Sequence, residues 1–432
     1  MDKQPTMYCL IDYEDEYVQP VILNALKRNF ESSCCKCIKA ISDYPSFGAP
    51  LLQWLQYENI DFELAFHHRN HVINSYVIRK ALIRKHYLSN TIAHWIAKSP
   101  NSALKRHWKT GVEFELDYAE FLDDALVEAF ELRESFEKNA GREPSEREWW
   151  ILKAGMSDRG QGIRLFSTFE ELEAIFEEWE QDEPSDEEKF TVDDEQHDEV
   201  DQLDTIRNSS ATNEEPGDGY GTMTSQLRHF IAQPYIHPPL LLSSSRKRKF
   251  HIRVYILAVG ALSVYVYKPM LALFATQPYA APWETQELRS HLTNTCLQGS
   301  NVREDSVKAF WDLEGLSQKH KEDIFNQICK VTGEVFEAAA RVSSINFQPV
   351  PNAFEIFGLD FLVDTEYTAW LLEVNSFPDF RQTGEDLKGI IEGLFDDVVK
   401  IAIKPMFELD ENAQRQENTN MERVLDIDLG LR

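Results

Sequence analysis

Three observations on the 432-residue sequence predict an α/β (α+β) fold with a small N-terminal α/β domain. The chain opens with an apolar run, residues 8–13 (YCLIDY), an acidic loop, and a segment at helical spacing over 18–27. This is the strand–loop–helix start of an α/β unit. Later short apolar segments (149–153, 252–267, 354–364, 369–375) predict strands, and 168–179, 322–342 and 384–406 predict helices. Between them, residues 182–221 are short of aromatics and rich in Asp, Glu, Ser, Thr and Asn, which predicts a disordered acidic insertion.

The remaining elements follow in order. Residues 67–92 are basic and have helical spacing from Val77, and 120–138 is the clearest amphipathic stretch of the following region. Residues 154–163 form a glycine-bearing loop after the strand WWILK. The run 252–267 reads as a hairpin turning at Gly260–Ala261, too short and interrupted for a membrane span. The polar end from Glu411 is expected to fray. Expected boundaries are an N-terminal α/β domain 1–95, a central domain 96–235, a C-terminal domain 236–408 and a polar tail 409–432.

Lys and Arg total 44 against 73 Asp and Glu, a net charge of −29. That argues against general nucleic-acid binding and against attachment to anionic lipid. Residues 170–218 hold 21 acids and 2 bases, so −19 is local and the rest of the chain carries −10. Six cysteines, three of them at 34, 35 and 37, suit free thiols in a reducing, cytoplasmic setting better than a disulfide framework. GxSxG and HExxH are absent, so nucleophilic-serine and zincin chemistry find no local support.

The most informative stretch is 354–380 (FEIFGLDFLVDTEYTAWLLEVNSFPDF). Alternation puts Glu373 and Asn375 on one strand face. With Glu366–Tyr367 as the turn, Asp364 faces Ala369 and Asp360 faces Glu373. Two carboxylates and an amide on adjacent strands form a hard oxygen set suited to Mg²⁺ shared with phosphate, or the wet face of a half-buried hairpin. Lys153, before the glycine-bearing loop, is placed to meet phosphate, although the loop fits neither GxxxxGK[ST] nor GxGxxG. Arg84 and Lys85 lie in the basic segment, and Lys249, His251 and Arg253 share one strand face in RKRKFHIR.

In order along the chain, LIRKHYL (82–88), WILK (150–153) with RGQGI (159–163), QPY (233–235), RKFHIR (248–253), QPY (277–279), HLTN (291–294) and FGLDFLVD…WLLEVN (357–375) resemble the tubulin-tyrosine ligase family of the ATP-grasp superfamily. The likeness runs from about residue 70 to 405, apart from the insertion. The resemblance implies an ATP-grasp fold and ligation of tyrosine to a protein C-terminus through an acyl phosphate. It implies ATP and Mg²⁺, with K⁺ as a further ion. It implies a monomer whose partners are free tyrosine and tubulin, or another protein with an acidic C-terminal tail. Lys85 and Lys153 match the phosphate lysines, and Gln233, Pro234, Tyr235 and Ile236 the adenine hinge. Lys249, His251 and Arg253 lie in the segment at the phosphate and incoming amino acid; His291, Leu292, Thr293 and Asn294 match the ribose edge. Asp360, Glu373 and Asn375 match the Mg²⁺ ligands, and Lys249, Arg253 and Glu373 carry the expected catalytic roles.

The chain departs from the family pattern at four places. His251 replaces an Asp, Leu273 an Arg that faces the terminal phosphate, Ala154 a Pro, and Pro234 a Lys. Lys268 and Arg164 are the candidates to replace the lost Arg. The alternatives are a nucleotide-binding pseudoenzyme or scaffold of the same fold, and a glutamate or glycine ligase acting on acidic tails. The insertion is a candidate mimic of an acidic acceptor tail.

Overall fold

A computed structural model describes residues 7–31, 34–45, 48–154, 162–181, 228–293, 306–383, 387–407 and 418–430. The expected insertion, Asn294 and most of the glycine-bearing loop lie outside them.

The opening forms as expected: β1 (Met7–Asp12), α1 (Val18–Asn29), β2 (Cys35–Ile38), β3 (Leu51–Leu55) and β4 (His71–Ile73) make a parallel sheet in the order β2-β1-β3-β4. The basic segment does not run on as one helix. A short turn, Lys80–Ile83, ends at Arg84, whose extended backbone restarts the chain as α2 (Lys85–Lys98). Lys85 therefore stands at a helix N-terminus.

The central sheet is antiparallel, in the order β5 (Val112–Glu115), β8 (His229–Pro234), β6 (Trp150–Ala154), β7 (Arg164–Phe166). The stretch expected as one amphipathic helix over 120–138 breaks near Leu126–Ala129 before α3 (Phe130–Asn139). The break lets Leu122, Leu126, Ala129 and Leu132 all reach the core beneath the sheet, together with α4 (Phe169–Gln181).

A seven-stranded sheet holds β9 (Arg248–Val259), β10 (Ser263–Tyr267), β11 (Leu271–Pro278), β12 (Val307–Ala309), β13 (Phe354–Val363), β14 (Ala369–Ser376) and β15 (Met421–Asp426). β9 is its spine. One edge pairs with β11 and β10 in succession, and the other pairs with β13. The polar end does not simply fray, because β15 adds to β10 and lays Val424 and Leu425 on the core. Gly333 in α5 (Gln318–Val342) permits this, since a Cβ there would lie 2.7 Å from the Val424 carbonyl oxygen.

The N-terminal sheet has no separate core. Leu10 and Leu51 pack with Phe250 and Phe357, while Val18 and Trp54 pack with Tyr255 and with Leu394 of α6 (Lys388–Val398). The central sheet keeps its own cluster, which runs from Val112 to Ala232. The described chain thus packs as a body of N- and C-terminal segments and a lobe of residues 112–234. Among the described residues no helix is long and apolar enough to cross a membrane.

Candidate functional site

A cavity of about 160 Å³ lies between lobe and body, lined by residues of both. Strand alternation explains who reaches it. In β6, Trp150, Leu152 and Ala154 go to the lobe core, which leaves Ile151 and Lys153 for the cavity. In β9, Phe250, Ile252 and Val254 enter the body core, which leaves Lys249 and His251 on the cavity face. Lys85, Gln233, Pro234, Tyr235, Ile236, His291, Leu292, Thr293, Asp360, Glu373 and Asn375 also line it. Every described residue of the expected site therefore converges there except Arg253.

Arg253 lies behind the wall. Its Nε donates to Asp360 Oδ1 at 2.5 Å and its second nitrogen to Oδ2 at 2.9 Å. Gly358 leaves room for this clamp, since a Cβ there would approach the Arg253 Cδ to 3.3 Å. Burial alone would raise the Asp360 carboxyl, but Arg253 and then His251 hold it below its ordinary value. Arg253 thus holds Asp360 and does not itself line the cavity. Nor does Leu273 face the cavity: it is buried with Leu271, Tyr255 and Val307. The expected replacements are occupied elsewhere, Lys268 against Glu322 and Trp311, and Arg164 over Trp179.

Asp360 stands opposite Glu373, as the sequence predicted. The route to that register differs. Near the turn Val363 faces Ala369, one position from expectation, and Asp364 organises the turn by accepting from the Glu366 and Thr368 N–H groups and the Trp370 indole. A β-bulge at Leu372 then restores Asp360 to Glu373. The Asn375 amide nitrogen lies 3.2 Å from Glu373 Oε1 and 3.5 Å from Asp360 Oδ2. Among the described residues no three His, Cys, Asp or Glu form a metal-binding group, so the oxygen set is two carboxylates and this amide. An amide N–H₂ turned toward two carboxylates marks a place for positive charge, and rotation of the amide offers its oxygen instead. The donor set fits Mg²⁺, which takes one or two carboxylates plus phosphate oxygens.

The cations opposite are buried. Lys153 donates to Gln233 Oε1 at 2.7 Å, and Gln233 Nε2 donates in turn to the Lys109 carbonyl. Burial pushes Lys153 down to about 8, with Glu373 opposing and Lys85 adding to the shift. Lys249 is pushed down to about 7 by burial and by Lys153. Its ammonium lies over the Tyr235 ring and donates to that hydroxyl at 3.0 Å. His291 Nε2 is 2.7 Å from the Thr285 carbonyl, which can only accept, so Nε2 carries the proton and Nδ1 accepts from the Tyr235 hydroxyl. His251 is pushed down to about 4, mainly by burial, and is neutral at pH 7. Its Nε2 is 3.5 Å from Asp360 Oδ1, and its Nδ1 accepts from the Thr293 hydroxyl at 2.5 Å. A histidine where an aspartate is usual thus keeps the site free of a third carboxylate.

Sequence reading missed the Lys249–Tyr235–His291 chain, which only tertiary packing assembles. It also expected a hinge edge at 233–236. Pro234 has no N–H, and the Tyr235 N–H donates to the Trp149 carbonyl at 2.8 Å, so neither offers a donor to a base.

The model of the tubulin-tyrosine ligase family matches residues 68–411. The chain is similar to a Schizosaccharomyces pombe protein named "Probable tubulin--tyrosine ligase", 47% identical over 405 residues, covering 92% of each chain. It is also similar to the Saccharomyces cerevisiae protein "Probable tubulin--tyrosine ligase PBY1", 42% identical over 428 residues, 95% of this chain and 54% of the relative. The chain therefore spans about half the length of that second relative. Among solved structures it resembles the C-terminal domain of K. lactis Pby1, described as an ATP-grasp enzyme interacting with the mRNA decapping enzyme Dcp2. That likeness has a TM-score of 0.70 and 36% identity, and covers 98% of this chain and 99% of that one.

Proposed function

The chain belongs to the tubulin-tyrosine ligase family and has an ATP-grasp fold, and from that premise we propose that it ligates an amino acid, tyrosine first, to the C-terminus of a protein acceptor, α-tubulin first, at the expense of ATP. The observation that carries the reading is the meeting, in one cavity, of Lys85, Lys153 and Lys249 with Asp360, Glu373 and Asn375. Nucleotide phosphate is the ligand that needs both sets. The proposed setting is the cytoplasm, where Cys9, Cys35, Cys37 and Cys329 would stay as thiols.

In this reading the acceptor carboxylate attacks the terminal phosphate, and the amine of the incoming amino acid then displaces phosphate from the acyl phosphate. Mg²⁺, held by Asp360, Glu373 and Asn375, would supply charge neutralisation at the phosphates. Lys85, Lys153 and Lys249 spread positive charge over the transferring group, and phosphate binding raises the proton affinity of Lys153 and Lys249. Arg253 keeps Asp360 ionised and aimed. No protein nucleophile is required, and water exclusion falls to the closing of lobe on body.

Two features favour a second reading, in which the chain binds nucleotide without turnover and acts by assembling with partners. Leu273 leaves the terminal phosphate without an arginine at that position, and the K. lactis neighbour is described as interacting with a decapping enzyme. Labelled tyrosine, glutamate and glycine, each supplied with ATP, Mg²⁺ and tubulin, separate the readings. Incorporation of tyrosine supports the first, and incorporation of glutamate or glycine keeps the ligase and changes its substrate. Thermal stabilisation by Mg²⁺-ATP with no incorporation of any of the three supports the second.

A further inference from the structure

Beside the large cavity is a smaller one of about 60 Å³. The two share Lys85, Lys153, Gln233, Glu373 and Asn375, so they meet at the phosphate end. Arg84 and Trp108 line only the smaller cavity, together with five aliphatic residues. Trp108 is 5% exposed, and its indole N–H is buried with no hydrogen-bond partner among the described residues. A buried donor without an acceptor is costly, which marks a place for an acceptor atom. The helix α2 begins at this wall with Lys85 and has no side-chain cap, so its first N–H groups add to the positive field. One acid, Glu373, shares the wall with three cations, Arg84, Lys85 and Lys153.

Charge then narrows the ligand: three cations against one acid, beside a buried N–H donor, favour an anionic oxygen group. We infer that this smaller cavity is a carboxylate subsite, in which the Trp108 indole N–H donates to one carboxylate oxygen and the Arg84 guanidinium balances its charge. The inference rests on the ligase reading for its position, since that reaction needs a carboxylate next to the terminal phosphate. The carboxylate belongs either to the acceptor's C-terminus or to the free amino acid. Trp108 is accordingly a residue that touches substrate and sets its position.

The test uses the full chain labelled with ¹⁵N at the tryptophan indoles and saturated with Mg²⁺ and a non-hydrolysable ATP analogue. The indole resonance missing from Trp108→Phe identifies Trp108. It is expected to move when an acidic peptide with a free C-terminus is added but not with the C-terminal amide, if the acceptor is the source. With tyrosine but not tyrosinamide, the amino acid is the source. In turnover, Trp108→Phe should raise KM for that substrate about tenfold, equivalent to about 1.4 kcal/mol, with the nucleotide KM within about twofold. A resonance moved by the nucleotide analogue alone and by no carboxylate would assign the cavity to the terminal phosphate and overturn the inference, as would one that nothing moves. Failure of the ligase reading looks different, because the resonance still answers a carboxylate while no amino acid is incorporated.

Discussion

Lobe and body both aim polar side chains at one cavity, yet they hold them by different means. On the body side Asp360 is locked by Arg253 and Glu373 by Asn375, neighbours on the same sheet, and His251 by Thr293, which follows the turn Leu288–His291. Two further body residues form the chain Lys249–Tyr235–His291 with a tyrosine from the end of the lobe. On the lobe side, Lys153 relies on Gln233, which is tied to the Lys109 carbonyl where the lobe joins the body. The lobe's main core shares no residue with either core of the body. A fixed metal and phosphate wall faced by a lightly tethered lysine is what a site needs if it must admit nucleotide and then close.

The largest effect is expected on the fixed wall. Glu373→Gln keeps the shape and removes one ligand charge, so kcat should fall at least about 100-fold, measured as ATP-dependent amino-acid incorporation. A wild-type rate would mean that the Glu373 carboxylate is not a required metal ligand. Leu273→Arg follows in size. The family resemblance makes this change a rescue, but Leu273 is 1% exposed among Leu271, Tyr255 and Val307. Burying a guanidinium there should cost about 3 kcal/mol, read from the denaturation midpoint. Higher turnover at unchanged stability would show that the side chain escapes to the phosphates.

The lobe side should respond through affinity. Gly111 lies against the strand that carries Gln233, and a Cβ there would meet the Gln233 Cγ at 2.8 Å. Gly111→Ala is therefore expected to displace Gln233, release Lys153 and raise the nucleotide KM about tenfold, with kcat changed less. Equal losses in kcat and KM would mean that the lobe is as rigidly tied as the body.

Local pattern made the strands legible in sequence, but not the contacts between segments distant in the chain. Alternation in β9 predicted one face for Lys249, His251 and Arg253, because a sheet with one buried face must send its polar residues to the other, whereas Lys153 was legible only by its place at a strand end. The hairpin is more instructive. Asp360 does oppose Glu373, but the assumed turn was one residue out, and the bulge at Leu372 corrects it. Nothing local announces a bulge, since Leu371 and Leu372 are both apolar. The Asp360–Arg253 clamp was equally hidden, because residues 107 apart in sequence become neighbours only when β9 and β13 pair. Resemblance supplied the list of site residues, but only packing could show Arg253 behind the wall and Leu273 inside the core.

The smallest effect is a pH dependence that lobe and body share. Lys249 and Lys153 sit at about 7 and about 8, well below the ordinary lysine value of 10.5, chiefly because both are buried. Without nucleotide they lose charge progressively between pH 7 and pH 9. Phosphate favours the charged forms, so nucleotide should bind with proton uptake at pH 8.5, and its affinity should fall several-fold from pH 7.5 to 8.5. Buffers of different ionisation enthalpy would reveal the uptake in calorimetry. For folding the sign is opposite. The unfolded chain keeps these protons to about 10.4, so from pH 7 upward it binds more protons than the native state, and the two lysines make the nucleotide-free protein more stable as pH rises. Lys153→Met should remove the part of the uptake centred near pH 8 and shift the Lys249 part upward from 7 without abolishing it, because burial is the larger cause of the Lys249 shift and Lys153 the smaller. Loss of both parts together would mean that the lobe and body lysines titrate as one unit, and that the tether is stiffer than its bonds suggest.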